Sequence, residues 1–458
     1  TSCILEDFVL DGDNTELQVY YNPAGATVRN VSVRNSMRGG IHLYVNRSHV
    51  EVVDVDIRDT YHTYAAGIKV NINQGGSVNI TDIYMRNLTT DDGGNCFHFT
   101  ANEIAAYSLQ NTTCHNSSLT GNGKSYGGGV GLAASLNQTT IHLVNTSWYD
   151  LNSSQAGAIT LEMYGSRVLV ENCYINQSTA LFGGGATIFL NQTSDASQAT
   201  FRNVTFFDCA SLNGGGLWVQ SSINTSVTVV DCHFIQNKAD GFGGGLYANM
   251  VGGALVVANS SFSNNIGPLF DSSGLYVDLS SSEDGLNQIS FYGSQLENNT
   301  AVFKGGNISF AAGQIQRVNG SFSVNTMRIE STAKLEIDGK FYVDGSLSVL
   351  VEDVTLASSE PIELATYLTI NGKFSSVAFV DEKGGTCDGK AEYLTTALQV
   401  TMQCPPPNTP SVPVGAIVGG VVGGVVFLVL VALLICYLVP SLREKVFPYR
   451  NRAVSMTQ

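Results

Sequence analysis

Helical periodicity is missing from most of this chain. Before residue 412 no long stretch sets apolar residues at the spacing of a helix face, which excludes helical bundles and α-solenoids. Positive charge is scarce: 23 Lys and Arg stand against 38 Asp and Glu, a formal net charge of −15. That balance argues against nucleic acid as a partner, because phosphate binding needs a basic footprint. Long acidic runs are absent too, so the charge reads as a solubilising surface rather than an interaction tail. No Cys-x-x-Cys pair, Gly-x-Ser-x-Gly sequence or phosphate loop occurs. The seven histidines (His42, His49, His62, His98, His115, His142 and His233) show no metal-ligand spacing. The sequence therefore calls for no cofactor and no metal.

Glycine is what the chain has in quantity, 48 residues, and much of it sits in one recurring motif. An aromatic or aliphatic anchor is followed three residues on by Asn or a substitute, then a small residue, then Gly-Gly-Gly. The copies read YINQSTALFGGGATIF at 174–189, FFDCASLNGGGLWV at 206–219 and FIQNKADGFGGGLY at 234–247, with a looser LENNTAVFKGGNISF at 296–310. The anchors align as Val31, Ile57, Tyr84, Trp148, Tyr174, Phe206, Phe234, Phe262 and Leu296, with room for a further copy around His115. Self-similarity at this period means a solenoid, in which no repeat buries its apolar face alone.

The flanking runs VEVVDVDI (50–57), SVTVV (226–230) and GALVVA (253–258) are β-branched and bounded by Asn, Ser and Gly, as strands are. The expected fold is all-β: a right-handed parallel β-helix of about ten coils, a membrane-proximal β cap and one C-terminal transmembrane α-helix. The glycine triplets fit tight corners that demand positive φ or close backbone approach. Asn87, Asn237, Asn265 and Asn299, at anchor plus three, suit left-handed turns and stacked side-chain hydrogen bonds.

The aromatic-x-x-Asn pattern followed by a Gly-Gly strand resembles the repeats of chlamydial polymorphic outer-membrane proteins. It is also similar to pectin-lyase-like β-helix surface proteins. The resemblance covers about residues 20–320 and implies the fold. For function it implies a range, since these families include adhesins, uncharacterised surface proteins and polysaccharide enzymes. The chain departs from the bacterial members in having no C-terminal run of amphipathic strands for an outer-membrane barrel.

Residues 414–439 form an uncharged apolar run of 26, against the ~20 needed to cross a bilayer. Prolines at 405, 406, 407, 410 and 413 make a stalk before it, and Arg443, Lys445, Arg450 and Arg452 follow it. The positive-inside rule puts that tail in the cytoplasm and the N-terminal part outside a plasma or other secretory-pathway membrane. The expected organisation is a β-helix over 1–320, a β cap over 321–404, a stalk over 405–413, the span over 414–439 and a tail over 440–458. Gly415, Gly419 and Gly423 in the span permit close packing and a homodimer.

Seventeen Asn-x-Ser/Thr sequons precede the span: Asn30, Asn46, Asn79, Asn87, Asn111, Asn116, Asn137, Asn145, Asn152, Asn176, Asn191, Asn203, Asn224, Asn259, Asn298, Asn307 and Asn319. Their density points to a glycosylated ectodomain, with some asparagines structural in turns. Of nine cysteines, Cys436 lies in the span, and the other eight are expected mostly to pair in an oxidising compartment. Cys387 with Cys404 is the first pairing expected and Cys96 with Cys114 the second; Cys173, Cys209 and Cys232 stay open, and Cys3 is left for a partner outside the sequence. The start, Thr-Ser-Cys without Met or an apolar leader, reads as a processed or truncated N-terminus.

Two clusters are candidates for chemistry. Asp91 and Asp92 lead into Gly93-Gly94, and pectin-degrading hydrolases of the resembling fold use neighbouring aspartates as acid and base. The Gly-His-Gly and Arg-x-Lys elements that accompany such aspartates are missing. Asp54, Asp56 and Arg58 alternate on one strand, with Val53, Val55 and Ile57 expected to point inward. Lyases of that fold hold Ca²⁺ on carboxylates and use Arg as base; a solvated face and a polar turn are the plainer readings of the two clusters. The function expected is therefore a single-pass type I surface glycoprotein for adhesion or polysaccharide recognition, or binding of another surface protein. A tethered polysaccharide lyase or hydrolase and a passive coat are the alternatives.

Overall fold

The computed structural model describes residues 3–403 apart from 21–23, 63–65, 74, 92–95, 102–103, 120–131, 154–156, 192–194, 252, 268–272, 279–286, 293, 298, 300, 305–307, 311–314, 320–321, 331–333, 352–360 and 382–385, and every described element is a β-strand. The expected stalk, span and tail, with Cys404, Cys436, Gly415, Gly419 and Gly423, lie outside the described residues, as does Asp92. Among the described residues no helix is long and apolar enough to cross a membrane.

One coil shows how the sequence winds. Leu217–Ser221 lies on the first face, Thr225–Val230 on the second and His233–Ile235 on the third. The chain returns through Lys238–Ala239 and the glycine run to Leu246–Met250, one rung further on. Each strand pairs in parallel with its equivalent in the next coil: Leu217 with Leu246, Val227 with Leu255, Phe234 with Phe262. The first face runs in this way from Leu17–Tyr20 to Ala301–Lys304. The result is an all-β, right-handed parallel β-helix.

The core is a set of inward columns. Leu217, Leu246 and Leu275 repeat on the first face, and Phe206, Phe234 and Phe262 on the third, all with no exposure. The three Phe rings stack at 4.8 and 4.6 Å with planes within 8° and 3°. Gly245 lies against this stack: a Cβ there would meet Phe262 Cδ1 at 2.8 Å and the Gly274 carbonyl oxygen at 2.6 Å. Gly243, two residues earlier, has φ +62, a turn that most side chains other than Asn and Asp adopt only under strain. The triplets are thus close-approach and turn positions.

Two columns of left-handed corners bound the third face. Asp7, Asn30, Asp54, Asp82, Asn111, Asn145, Asn172, Asn203, Asp231 and Asn259 mark its entry, each with φ between 48° and 57°. Asn35, Asp59, Asn87, Asn116, Asp150, Gln177, Asp208, Gln236 and Asn264 mark its exit. Asn and Asp tolerate this conformation, and many bridge to the next coil. Asn30 Nδ2 donates to Asp7 Oδ1 at 2.6 Å, Asn87 to Asp59 at 2.7 Å and Asn203 to Asn172 at 2.8 Å.

These corners correct several expectations. A left-handed residue shifts the two-residue alternation, so Val53 before Asp54 is half-buried rather than inward, whereas Val55 and Ile57 after it are buried. The inward column of Ile57, Trp148 and Phe206 holds Met85, Cys114 and Ile175 rather than Tyr84, His115 and Tyr174, and it holds Val33 rather than Val31, which is buried beside it in the column of Val55 and Ile83. Nor do Asn237 and Asn265 adopt left-handed turns; Gln236 and Asn264 before them do. Asn237, Asn265 and Asn299 instead point inward as a buried amide ladder, with Nδ2-to-Oδ1 bonds of 2.9 Å at each step.

Parallel winding does not stop near residue 320. It continues through Phe322–Glu330 and Lys334–Val351 to Ile362–Asn371 and Ser376–Asp381. Among the described residues antiparallel pairing appears only at the end, where Thr386–Tyr393 and Ala397–Gln403 pair with each other and fold back on the last coils. That hairpin covers the open edge of the ladder.

Cys96 and Cys114 are disulfide-bonded, with Cα atoms 6.4 Å apart, and Cys387 is disulfide-bonded too. Cys3, Cys173, Cys209 and Cys232 are free thiols, against the expectation that most pair. Register is the reason. Cys173 and Cys232 share one inward column with Val204 between them, since Thr205 N bonds to Cys173 O and His233 N to Val204 O. Cys209 belongs to the column at the other corner, between Ser178 and Asn237.

Candidate functional site

The two acidic clusters do not converge. Asp54 is an exposed corner residue, while Asp56 and Arg58 project from the third face beyond it. Arg58 Nε donates to Asp56 Oδ1 at 2.6 Å, its guanidinium lies 5.8 Å over the Tyr84 ring, and Arg34 approaches Asp56 at 3.9 Å. The hydrogen bond to Asp56 raises the Arg58 pKa, so the guanidinium stays protonated. In register, Asp56 is flanked by Ser32 and Tyr84 and so has no carboxylate above or below it. Asp91 lies elsewhere, beyond the short strand Thr89–Thr90, and its carboxylate accepts the Tyr61 hydroxyl, which raises the Tyr61 pKa. Asp54 and Asp56 line one open cavity with Asp7 and Arg34, and Asp91 is not among the residues around it.

The third face also carries an outward aromatic column. His115 stacks on Tyr149 at 4.6 Å, and Tyr84 and Tyr174 flank that pair at 5.6 Å each. Burial lowers the His115 pKa. Sequons crowd this face: Asn30, Asn111, Asn145, Asn203 and Asn259 occupy its entry corner, Asn87 and Asn116 its exit corner, and Asn176 lies on the face itself. In the corner ladder the donor is Nδ2, the same nitrogen that a glycan would take.

The outside of the first face is different. Its strands follow the glycine runs directly, so the residue after each inward leucine points out: Trp218 after Leu217, Tyr247 after Leu246, Tyr276 after Leu275. The three are in register. Trp218 and Tyr247 rings lie 6.3 Å apart at 14°, and Tyr247 and Tyr276 5.6 Å apart at 3°. Phe182 and Phe242, from the loops that enter the strands, lean on this row, and Phe189 closes it at 5.0 Å from Trp218. Packing leaves Trp218 and Tyr276 only 7 % and 6 % exposed, while Phe182, Phe189, Phe242 and Tyr247 are half-exposed.

A second column on the same face holds Phe189, Gln220, Asn249 and Asp278 beside the rings. The sequons of these coils lie elsewhere: Asn176, Asn203 and Asn259 belong to the third face, and Asn191 and Asn224 to the edge where the first face ends. Burial first, then the Asp278 charge, raises the pKa of Tyr247, and the same causes push Tyr276 up to about 12. Both phenols are neutral hydrogen-bond donors at physiological pH.

The strip has a signature in the sequence that no expectation above uses. The signal was the repeated Gly-Leu-aromatic step at 216–218, 245–247 and 274–276. At the opposite end of the first face the winding gathers polar groups that the sequence scatters: Glu16, His42, His62 and Lys69 line one cavity with Met37 and Arg38. His62 has its pKa lowered by burial and then by Lys69.

No curated protein matches the chain. Residues 136–301, the coils that carry the glycine triplets and the aromatic strip, match the family described as the right handed beta helix region.

Proposed function

We infer that this chain is a surface protein whose β-helix binds extended polysaccharide along its first face. The aromatic strip from Phe182 to Tyr276 carries the reading. Sugar rings present apolar C–H faces that pack on aromatic rings, and Gln220, Asn249 and Asp278 stand beside the strip to bond hydroxyls. Its rungs repeat at the ~4.8 Å spacing of paired strands, a regular step suited to a regular polymer.

The same reading takes residues 414–439 as a type I membrane anchor, the sequons as glycan sites outside the cell and 440–458 as a cytoplasmic tail. Glycans at the corners of the third face and at the edge past Asn191 and Asn224 leave the aromatic strip on the first face open.

Retention of the purified chain on immobilised plant, fungal and algal polysaccharides tests this. The native chain is retained on at least one, and Phe242→Ala/Tyr247→Ala is not, with thermal unfolding little changed. Equal retention of native and variant chains would refute the strip as the site. New reducing or unsaturated ends lost in Asp54→Asn or Asp91→Asn would make the protein an enzyme instead.

A further inference from the structure

Glu16, His42 and His62 come from three successive turns of chain at the N-terminal end of the first face. Glu16 precedes Leu17–Tyr20, His42 lies within Ile41–Val45 and His62 ends Tyr61–His62. Parallel pairing fixes these elements against one another: Gln18 is in register with His42, and Tyr61 N bonds to Ser36 O. One ligand atom from each of the three side chains lies within 4.8 Å of the other two. His42 Nδ1 is 3.8 Å from Glu16 Oε2, and the two imidazoles meet edge to face with centroids 5.0 Å apart. His42 is 4 % exposed, and the other two are half-buried at the mouth of the cavity.

We propose that Glu16, His42 and His62 form a site for one divalent transition-metal ion, zinc being the best match. Two imidazoles and a carboxylate are the donor set of a borderline-soft cation, whereas Ca²⁺ and Mg²⁺ take oxygen ligands. Around tetrahedral zinc the ligand atoms stand about 3.3 Å apart, as bond lengths near 2 Å require. Closing the observed set to that takes an ångström or so of side-chain movement at His62 and at Glu16, whose other oxygen accepts a hydrogen bond from Gln18. Three protein ligands leave a fourth position open to the cavity, the arrangement of a zinc site that binds an exchangeable water or an external group.

Two cations oppose the ion. Lys69 is in register with His42 on the next coil, and Arg38 lines the same cavity. Their repulsion weakens binding, and this gives the site a signature that a chance surface cluster lacks: removing the Lys69 charge tightens it. The site is separate from the aromatic strip and stands or falls independently of polysaccharide binding.

The test is a titration of the purified, tag-free full-length chain, freed of metal by chelator. Zn²⁺ is followed by calorimetry and Co²⁺ by visible absorption, which distinguishes tetrahedral from octahedral coordination. One equivalent binds, with a tetrahedral cobalt spectrum. His62→Ala and Glu16→Gln each weaken binding at least tenfold while thermal unfolding without metal stays in place, and Lys69→Met strengthens it. These two ligand variants are chosen because His42 is buried and its removal disturbs the fold. Absence of stoichiometric binding by the native chain would overturn the proposal, as would unchanged affinity in both ligand variants.

Discussion

Asn237 and Asn265 stand on successive coils with their side chains inside the solenoid, and the Asn237 amide donates to the Asn265 carbonyl oxygen at 2.9 Å. Three residues before each, Phe234 and Phe262 stack at 4.6 Å. An apolar column and a hydrogen-bonded column therefore run side by side through the same coils. The Asn265 oxygen also accepts Asn237 N, and its nitrogen also reaches the Phe234 carbonyl. Every polar atom of a side chain 3 % exposed is in this way used.

Replacing Asn265 with Ala strands these groups without water to replace the amide. A buried polar group left unpaired costs about 1–3 kcal/mol, and several lose their partner together. Asn265→Ala is expected to lose about 3 kcal/mol or more, read as a large drop in the denaturation midpoint. Asn264→Ala, at the exposed left-handed corner one residue earlier, costs less.

Gly245→Ala tests the close approach of successive coils. The added methyl meets backbone oxygen of Gly274 and the ring of Phe262, neither the end of a flexible chain. Overpacking of this kind costs about 1–3 kcal/mol. Thermal unfolding of the variant falls by several degrees; an unchanged midpoint would mean that the coils are not so tightly wound.

The buried thiols set an alkaline limit. Burial pushes Cys209 and Cys232 up to about 12 from an ordinary 9.0. Between pH 9 and pH 12 the unfolded chain sheds protons that the folded chain keeps, so stability is full below pH 9 and falls as pH rises. Cys209→Ala/Cys232→Ala flattens that fall relative to the native chain. At neutral pH a thiol reagent labels exposed Cys3 and spares Cys173, Cys209 and Cys232 until the protein is unfolded.

Asp56→Asn removes a partly exposed ion pair with Arg58. Such pairs contribute about 0–1 kcal/mol. Its stability shifts by no more than that, and polysaccharide retention is unchanged, because Asp56 lies on the third face and the strip on the first.

The repeat made the architecture legible. Phe206, Phe234 and Phe262 align by eye in the sequence and stack in the structure, and the glycine triplets mark the turns. Where the alignment slips, at Tyr84 and Tyr174, the inward position three residues after the corner holds Met85 or Ile175, and the aromatic beside it points out. Nothing in periodicity announces a corner except an Asn or Asp, and this chain places those everywhere. The Glu16, His42 and His62 cluster was illegible for another reason. Its spacings of 26 and 20 residues match no ligand motif, and only unequal coils bring the three side chains to one cavity. The free thiols were misjudged because pairing depends on register, and Val204 between Cys173 and Cys232 is invisible to a cysteine count.

The most direct measurement uses the two tryptophans of the chain. Trp148 is in the core at 1 % exposure, and Trp218 is in the aromatic strip. In a Trp148→Phe chain Trp218 is the only indole, and its emission reports on the first face alone. Titration with oligosaccharides of a retained polysaccharide should shift that emission saturably, with the same midpoint as binding measured by calorimetry. Calorimetric binding that leaves Trp218 emission unmoved, and survives Phe242→Ala/Tyr247→Ala, would contradict the account and move the site to another face.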